Sequence, residues 1–337
     1  MGRAQTKMKT GFRESEFYKK NIYDNLKRIK TKLYLTLSHP IIILTYHRVK
    51  NADRDPQSLC VGIDNFRRQM EYLKENMKLV SLSESWSDLN DRAVAITFDD
   101  GYYDNYENVL PIIEDLGIPV TFFICSGFIG TSKLFWWDEL EILTLSNAEY
   151  PEKFVLEDKN IWKKWPSKNI HERKLLYNDL HNMMRIIDKA KRECWMTQLR
   201  DWAKTIEITW PNSRAMSLAE LRDLAKSRWV DIGAHTVNHV RLSSLSQAQQ
   251  DEEIKDSKRQ LELWLEKKIN LFSYPYGQHN DFNSTSVNIV KDAKFIKSTA
   301  NYSGLVNKFS NLYTLPRQTV RDWPIQIFKE KINNFLL

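Results

Sequence analysis

Cysteine is scarce in this sequence, with only three residues among 337. Cys60, Cys125 and Cys194 are widely spaced and include no CxxC pair, which argues against a disulfide framework and against a zinc site built from cysteines. Reduced thiols in a cytoplasmic protein are the simplest interpretation.

Long apolar runs are also missing. The N-terminus is basic, but no apolar segment of the length of a signal peptide follows it. The apolar run over residues 40–46 is far too short to span a membrane, and it predicts a strand instead. We therefore expect a cytoplasmic protein, with any membrane association limited to the inner face.

A nucleic-acid-binding motif is absent as well, although the chain is basic, with a net charge of +7 and a pI of about 9.0. Part of the excess lies in residues 1–36, which we interpret as a basic N-terminal arm, partly helical. Such an arm is usually a solvated surface, and it would also suit an anionic membrane or a lipid-linked, phosphate-bearing substrate. Because no aromatic-basic motif accompanies the charge, no nucleic-acid partner is expected.

What the sequence does contain is a repeated order of strand and helix, which is typical of a parallel α/β sheet or barrel. Residues 131–215 interrupt this order, since they are rich in Trp and charge and mostly helical in pattern. We predict one barrel-like domain over residues 37–337 that carries a helical insertion at about 131–215. Apolar runs predict strands near residues 41–46, 93–98, 120–124, 230–233, 271–274 and 295–298.

Two adjacent acids close the predicted strand Ala93–Phe98. Asp99 and Asp100 are followed by Gly101, and burying unpaired carboxylates is strongly unfavourable without a cation or a proton. Neighbouring residues of a strand point to opposite faces, so a sharp turn at Gly101 is needed to bring both acids to one rim. An ordinary Asp-Asp-Gly turn with solvated carboxylates is the alternative interpretation.

His235 and His239 form a second informative pair, because the sequence has only seven histidines and these two follow a predicted strand. At a spacing of i and i+4 they would share one side of a helical turn and reach one metal ion. Two surface histidines with separate hydrogen bonds are the alternative. Two imidazoles and a carboxylate make a hydrolytic site that suits Zn²⁺, and Co²⁺, Ni²⁺ or Fe²⁺ would accept the same ligands.

The acid pair and the histidine pair each stand at the C-terminal end of a predicted strand, where parallel α/β folds gather their active sites. Three motifs in this order, Thr97–Gly101, His235–His239 and Phe272–Gly277, resemble those of the polysaccharide deacetylase (NodB-homology) superfamily of metal-dependent carbohydrate N-deacetylases. The resemblance covers roughly residues 38–130 and 215–325. It implies an α/β fold, a distorted (β/α) barrel with a helical, Trp-rich insertion.

The resemblance also implies a role for each matching residue. Asp99 becomes the general base, while Asp100, His235 and His239 become the metal ligands. The backbone N–H of Tyr276, in the Pro-Tyr-Gly motif, would stabilise the oxyanion beside the metal.

Two departures from the family pattern point to a particular branch. Many members carry a late histidine that protonates the leaving amine and an arginine two residues before the Pro-Tyr-Gly motif. Here no histidine follows His279, and Ser273 takes the place of the arginine. A branch with an N-terminal Tyr-His motif resembles this chain at residues 46–47. His47 then becomes the candidate acid, and a histidine capping a strand end is the alternative.

The segment around Arg317 is similar to the same branch. Arg317 would pair with Asp99 and lower its pKa, whereas an ordinary surface arginine is the alternative. Asp322-Trp323 resembles an Asp-Trp motif near the family's active site, although core packing explains Trp323 equally well. Phe135–Asp138 would line a sugar groove or join the insertion to the barrel.

The implied function is hydrolysis of N-acetyl groups on an amino-sugar residue of a bacterial cell-surface glycan, or of its lipid- or nucleotide-linked precursor. Two alternatives are a deformylase of a lipid-linked amino sugar and a catalytically silent glycan-binding protein on the same fold.

Overall fold

The computed structural model describes residues 40–336, except 88, 90, 160 and 205–212. The predicted basic arm of residues 1–36 lies outside the described residues. In the part that is described, no helix is both long and apolar enough to cross a membrane.

A curled sheet of eight parallel strands forms the centre of the fold. Most of its strands are short apolar runs buried on both faces, as expected for parallel strands covered by helices. Neighbouring strands follow the order β11-β10-β9-β6-β5-β1-β12, and β4 pairs with β5. The strands are β1 (Ile41–Tyr46), β4 (Lys78–Leu79), β5 (Ala93–Phe98), β6 (Val120–Ile124), β9 (Val230–Ala234), β10 (Leu271–Ser273), β11 (Lys297–Thr299) and β12 (Gln318–Thr319).

The two ends of the sheet meet through the segment that leads into β12. Leu315 pairs with Thr299 of β11 in parallel, and β12 pairs with β1 three residues later in the chain, at Gln318. The sheet thus curls into a distorted barrel, and the predicted fold class is confirmed.

Helices surround the barrel and follow most of its strands. A π-helical turn, Asn105–Val109, leads into α2 immediately before Pro111, whose ring cannot donate an N–H. Gly117 ends α2 with φ 67°, and Ser217 forms a capping box at the start of α6. The helices are α1 (Ile63–Asn76), α2 (Leu110–Leu116), α3 (Trp136–Leu145), α4 (Ile170–Arg185), α5 (Lys189–Trp202), α6 (Leu218–Leu224), α7 (Gln247–Leu265), α8 (Ser284–Asp292) and α9 (Ile325–Leu336).

Helices α3, α4 and α5 belong to the region where we expected an insertion, but this region also contains an antiparallel hairpin. Strands β7 (Lys153–Asp158) and β8 (Ile161–Pro166) pair along their whole length. The expectation of mostly helical structure is therefore wrong between α3 and α4. Alternating burial of Phe154 and Leu156 shows why, since a period of two lets one face of the hairpin pack inward.

The insertion forms most of a separate hydrophobic cluster, which also includes Tyr102 and Cys125 from the loops after β5 and β6. Leu176 and Leu180 of α4 pack there with Trp195 of α5 and Phe135. Phe128 contacts both this cluster and the main barrel cluster, so the two bodies join beside the loop that follows β6. A further two-stranded parallel ladder links β2 (Arg48–Val49) and β3 (Cys60–Val61).

Candidate active site

The acid pair lies in a sharp turn immediately after β5. Asp100 and Gly101 have φ values of 78° and 87°, a left-handed conformation that glycine adopts readily and aspartate more readily than most side chains. Both carboxylates are buried, with 3% of Asp99 and 2% of Asp100 exposed. The turn brings the two acids to one cavity instead of opposite faces of the sheet, which excludes the alternative of a solvated turn.

This cavity has a volume of about 250 Å³ and lies at the C-terminal end of the barrel strands. Residues from β5, the loop after β9 and the loop after β10 meet there because parallel strands end at the same rim. The residues predicted from sequence that line it are His47, Asp99, Asp100, Trp137, His235, His239 and Tyr276.

Arg317 stands behind the cavity and holds Asp99 in a bidentate pair. Its Nη1 donates to Asp99 Oδ1 at 2.8 Å and its Nη2 to Oδ2 at 2.6 Å. Nη2 also donates to Ser273 Oγ at 2.9 Å, so the guanidinium comes from the last barrel segment and passes the small serine side chain. The guanidinium is fully buried, which excludes the alternative of a surface arginine.

The charge of Asp99 follows from this pairing. Burial by itself raises the pKa of Asp99, but the adjacent Arg317 guanidinium outweighs burial and holds that pKa well below its usual range. Asp99 is therefore ionised at neutral pH and has the charge that a general base needs.

Asp100 is in the opposite situation, since burial and the negative charge of Asp99 both raise its pKa. Its Oδ1 is buried without a hydrogen-bond partner. The Nε2 atoms of His235 and His239 lie 3.7 Å and 3.4 Å from that oxygen. An unpaired carboxylate oxygen facing two imidazole nitrogens requires a shared proton or a cation.

The tautomer of His235 suits a cation. Its Nδ1 lies 2.7 Å from Ser273 O, and because a carbonyl can only accept, Nδ1 carries the proton and Nε2 presents a lone pair. Burial lowers the pKa of both histidines, which keeps the imidazoles neutral, as metal ligands must be. Ligand atoms about 2.1 Å from a tetrahedral zinc ion lie roughly 3.4 Å apart. The donor set of Asp100, His235 and His239 therefore fits a divalent metal.

Cys125 also lies close to this site, with Sγ, Asp100 and His235 ligand atoms within 4.8 Å of one another. Its Sγ donates to the carbonyl oxygen of His235 at 3.1 Å, and burial raises the pKa of the thiol well above its usual range. The thiol is protonated and directed at the backbone, so it is a weaker ligand candidate than His239.

The histidine pair does not lie on a helical turn, and this expectation is wrong. Residues 235–240 form an irregular loop in which Thr236 and His239 have φ values of 64° and 49°. The carboxylate of Glu253, on α7, accepts hydrogen bonds from the backbone N–H groups of Val237 and Asn238 and fixes the loop. Both imidazoles reach one carboxylate because of this strained loop and not because of helical spacing.

His47 and Tyr276 complete the set of predicted residues. His47 occupies the break between β1 and β2, and its Nδ1 is buried without a partner. Burial lowers the pKa of His47 to about 4, although the charge of Asp99 acts in the opposite direction. The Tyr276 ring packs edge-on against His239 at 4.7 Å, and in the described part of the chain no hydrogen bond uses its backbone N–H.

The aromatic segment 135–138 also reaches the cavity. Trp137 stands edge-on to His239 with ring centroids 4.7 Å apart, and Trp136 donates from Nε1 to Tyr276 Oη at 3.3 Å. The segment 135–138 therefore does both of the things considered for it, since it joins the insertion to the barrel and lines the cavity. The lining residues that sequence reasoning missed are Gln57, Leu59, His181, Arg185, Gln278, Asn301, Thr319 and Arg321.

The Asp-Trp pair near the C-terminus lies elsewhere. Asp322 accepts hydrogen bonds from Gly62 N and Asn65 Nδ2 at the start of α1, and Trp323 packs against the barrel core. These contacts favour the interpretation of Trp323 as core packing. His279 stacks on Tyr302 at the surface.

Comparison with known proteins shows which family this chain is similar to. The sequence model of the polysaccharide deacetylase family matches residues 87–150 and 188–295, about half of the chain, and the unmatched stretch between them falls in the insertion. The Bacillus subtilis polysaccharide-deacetylase-family protein YxkH is 20% identical over 272 residues, which are 78% of this chain and 67% of that protein.

A second relative is the poly-beta-1,6-N-acetyl-D-glucosamine N-deacetylase of Staphylococcus aureus, 29% identical over 125 residues. The match covers 32% of this chain and 41% of that enzyme. Among solved structures, IcaB from Ammonifex degensii superposes with a TM-score of 0.58 and 16% identity, over 88% of this chain and 97% of that one. At this identity the likeness shows a shared fold.

Proposed function

Because the chain belongs to the polysaccharide deacetylase family, we propose that it is a metal-dependent hydrolase that removes N-acetyl groups from an amino-sugar residue. The proposed substrate is a bacterial cell-surface glycan or its lipid- or nucleotide-linked precursor, in keeping with the activity for which the Staphylococcus aureus relative is named. Zinc is the proposed metal, and peripheral contact with a membrane would suit a lipid-linked substrate.

One observation carries this proposal: the two acids of the turn have opposite surroundings. Asp99 is neutralised by a buried arginine, whereas Asp100 has an unpaired oxygen that faces two neutral imidazoles. A pair of carboxylates whose pKa values are driven apart is the arrangement expected of a base and a ligand with separate tasks.

The proposed residue roles follow from this geometry. A divalent ion held by Asp100, His235 and His239 would polarise the acetyl carbonyl and lower the pKa of the attacking water. Asp99 accepts the proton of that water, and Arg317 keeps the carboxylate ionised and oriented. The backbone N–H of Tyr276 stabilises the oxyanion. His47 donates a proton to the departing amine; because its low pKa leaves it neutral at rest, the proton that it passes on is the one that Asp99 has taken from the water.

The test compares Asp99→Asn with Asp100→Asn. We expect Asp99→Asn to keep stoichiometric metal and to lose activity by at least about 100-fold, because general-base catalysis contributes that much. Asp100→Asn is expected to lose both metal and activity. Metal analysis and acetate release from N-acetylated glucosamine oligomers measure the two effects, with Asp115→Asn, which is 61% exposed, as a control.

Full activity of Asp99→Asn with metal bound would show that Asp99 is not the base. Wild-type protein that binds glucosamine oligomers and metal but releases no acetate would be a glycan-binding protein. Release of formate from an N-formylated analogue without release of acetate would identify a deformylase.

A further inference from the structure

The outer part of the active-site cavity is basic. Arg185, the last residue of α4, and Arg321, just beyond β12, both line it together with the catalytic set. Their guanidinium groups come from the insertion and from the C-terminal segment. Both arginines lie outside the segments that match the family model, so they are features of this chain additional to the shared motifs.

Arg185 is only partly neutralised. Its Nη2 donates to Asp281 Oδ2 at 2.7 Å, but Arg241 donates from Nε to the other oxygen of the same carboxylate at 3.1 Å. Two guanidinium groups therefore share the single negative charge of Asp281. Arg185 Nε is buried without a hydrogen-bond partner, so this side chain retains both positive charge and donor capacity.

Arg321 has no ion pair with any carboxylate in the described part of the chain. Its Nη1 donates to the backbone carbonyl oxygens of Gln57 and Ser58, which hold the guanidinium in place without neutralising it. The carboxylate of Asp55 attracts Arg321 but is hydrogen-bonded to the backbone N–H groups of Leu59 and Cys60. The cavity therefore faces a second surplus positive charge.

The size of the cavity brings these charges close to the chemistry. The cavity has a volume of about 250 Å³, and Asp99, Arg185 and Arg321 all line it, so a sugar residue that fills the cavity lies near both arginines. Guanidinium groups bind phosphate and carboxylate oxygens through paired, charge-assisted hydrogen bonds. A neutral glycan would offer no negatively charged oxygen to either guanidinium group.

We propose that Arg185 and Arg321 recognise an oxyanion, a phosphate or a carboxylate, that the amino-sugar substrate carries close to its acetamido group. This inference rests on the proposed deacetylase function and narrows its substrate to anionic amino sugars. The insertion thereby determines specificity, because α4 delivers Arg185 to a cavity whose catalytic groups belong to the barrel.

The experiment uses the full-length metal-loaded protein and three substrates: a neutral N-acetylglucosamine disaccharide, N-acetylglucosamine 1-phosphate, and a disaccharide of N-acetylglucosamine with glucuronate. We expect kcat/KM for one anionic substrate to exceed that for the neutral one at least about tenfold. Arg185→Gln and Arg321→Gln should each reduce that ratio about tenfold, chiefly through KM, and Arg185→Lys should recover part of it. The exposed Arg67→Gln serves as the matched control and should leave the ratio unchanged.

The preferred anion identifies phosphate or carboxylate as the recognised group. A wild-type ratio near one for both anions, or the same ratio in the Gln variants as in wild type, would overturn the inference. Should no substrate be hydrolysed, the proposed function fails, and calorimetric titration with inorganic phosphate then decides the inference separately. Phosphate binding about tenfold weaker in both Gln variants supports the anion site, and unchanged binding refutes it.

Discussion

The barrel and the insertion contribute to the same cavity in different ways. The barrel supplies buried groups that are fixed by several partners, such as Arg317, which hydrogen-bonds to Asp99, Ser273, Thr97 and a backbone carbonyl. The insertion supplies Trp137, His181 and Arg185, of which Arg185 keeps 34% of its side chain exposed. This difference separates a rigid part suited to the chemistry from an outer part suited to selecting the substrate.

The two regions also differ in how their side chains are supported. The proposed catalytic groups of the barrel lie at strand ends and are held by hydrogen bonds to neighbouring strands, as Ser273 O holds His235. His181 stands on a helix of the insertion and is held by stacking between Trp136 and Tyr177. Changes in the barrel should therefore affect kcat, and changes in the insertion should affect KM.

Removal of the metal should give the largest loss of activity. This loss should arise in the barrel, because the proposed metal ligands belong to it. Dialysis against a chelator is expected to lower activity by more than about 1000-fold, since the metal accounts for several kcal/mol of transition-state stabilisation. It should also lower the free energy of unfolding, by about 4 kcal/mol if the metal was present at 1000 times its Kd. Activity assays and denaturation before and after addition of Zn²⁺ measure both. An active apoprotein would contradict the proposed role of Asp100, His235 and His239.

Replacing Arg317 by lysine should have the next largest effect, because lysine keeps the charge but loses the bidentate pair with Asp99. We expect kcat to fall about 10- to 100-fold with metal content unchanged. Arg317 holds the pKa of Asp99 low, so the base stays ionised as the pH falls. In the variant that pKa should rise and the acid limb of the kcat/KM profile should move to higher pH. An unmoved acid limb would show that another group limits the rate.

The contribution of Asp99 to the free energy of unfolding also decreases as the pH falls. Because its pKa is lower in the folded than in the unfolded chain, this contribution is fully present above the unfolded value of about 3.9 and is lost as the pH falls below it. The Arg317→Lys variant should lose part of this contribution, which denaturation at several pH values would detect.

The smallest expected effect on catalysis comes from the core of the insertion. Leu180→Ala removes a fully buried side chain of α4 and should lower the free energy of unfolding by about 2–5 kcal/mol. Because α4 carries His181 and Arg185, we expect KM to rise severalfold while metal content and kcat stay close to wild type. Leu261→Ala, on α7 of the barrel, removes an equally buried leucine and is the matched control. A rise in KM of the same size in the control would abolish the distinction between the two regions.

Much of the barrel could be predicted from the sequence, because buried parallel strands are continuous apolar runs with clear ends. The runs at β1, β5 and β6 were located with their boundaries, and the acid pair was placed at the end of β5. The prediction worked since each of these features depends on local chemistry, namely burial, strand propensity and the cost of unpaired charge.

The features of the site and of the insertion that we did not predict depend largely on long-range contacts, which no short sequence pattern reveals. Thr236 is β-branched and disfavours the left-handed backbone it adopts, so the loop carrying the two histidines was mistaken for a helical turn. Arg185 and Arg321 have no motif, because the packing of α4 and of the C-terminal segment on the barrel brings them to the cavity. The sequence of the β7–β8 hairpin does alternate at Phe154 and Leu156. The Trp and Lys residues around them, however, obscure the period of two that indicates a strand.

The closing of the barrel by the segment around Arg317 has a consequence for the order in which the protein matures. Asp99 and Arg317 are 218 residues apart in the chain, so at 5–20 residues per second the ribosome adds the guanidinium roughly 10–40 s after the carboxylate. During that interval Asp99 lacks the partner that keeps it ionised in a buried site, and β5 lacks the last wall of its barrel. Catalytic competence should therefore be acquired only after Arg317 has been synthesised, and a nascent chain that ends before this residue would lack the partner of its proposed base.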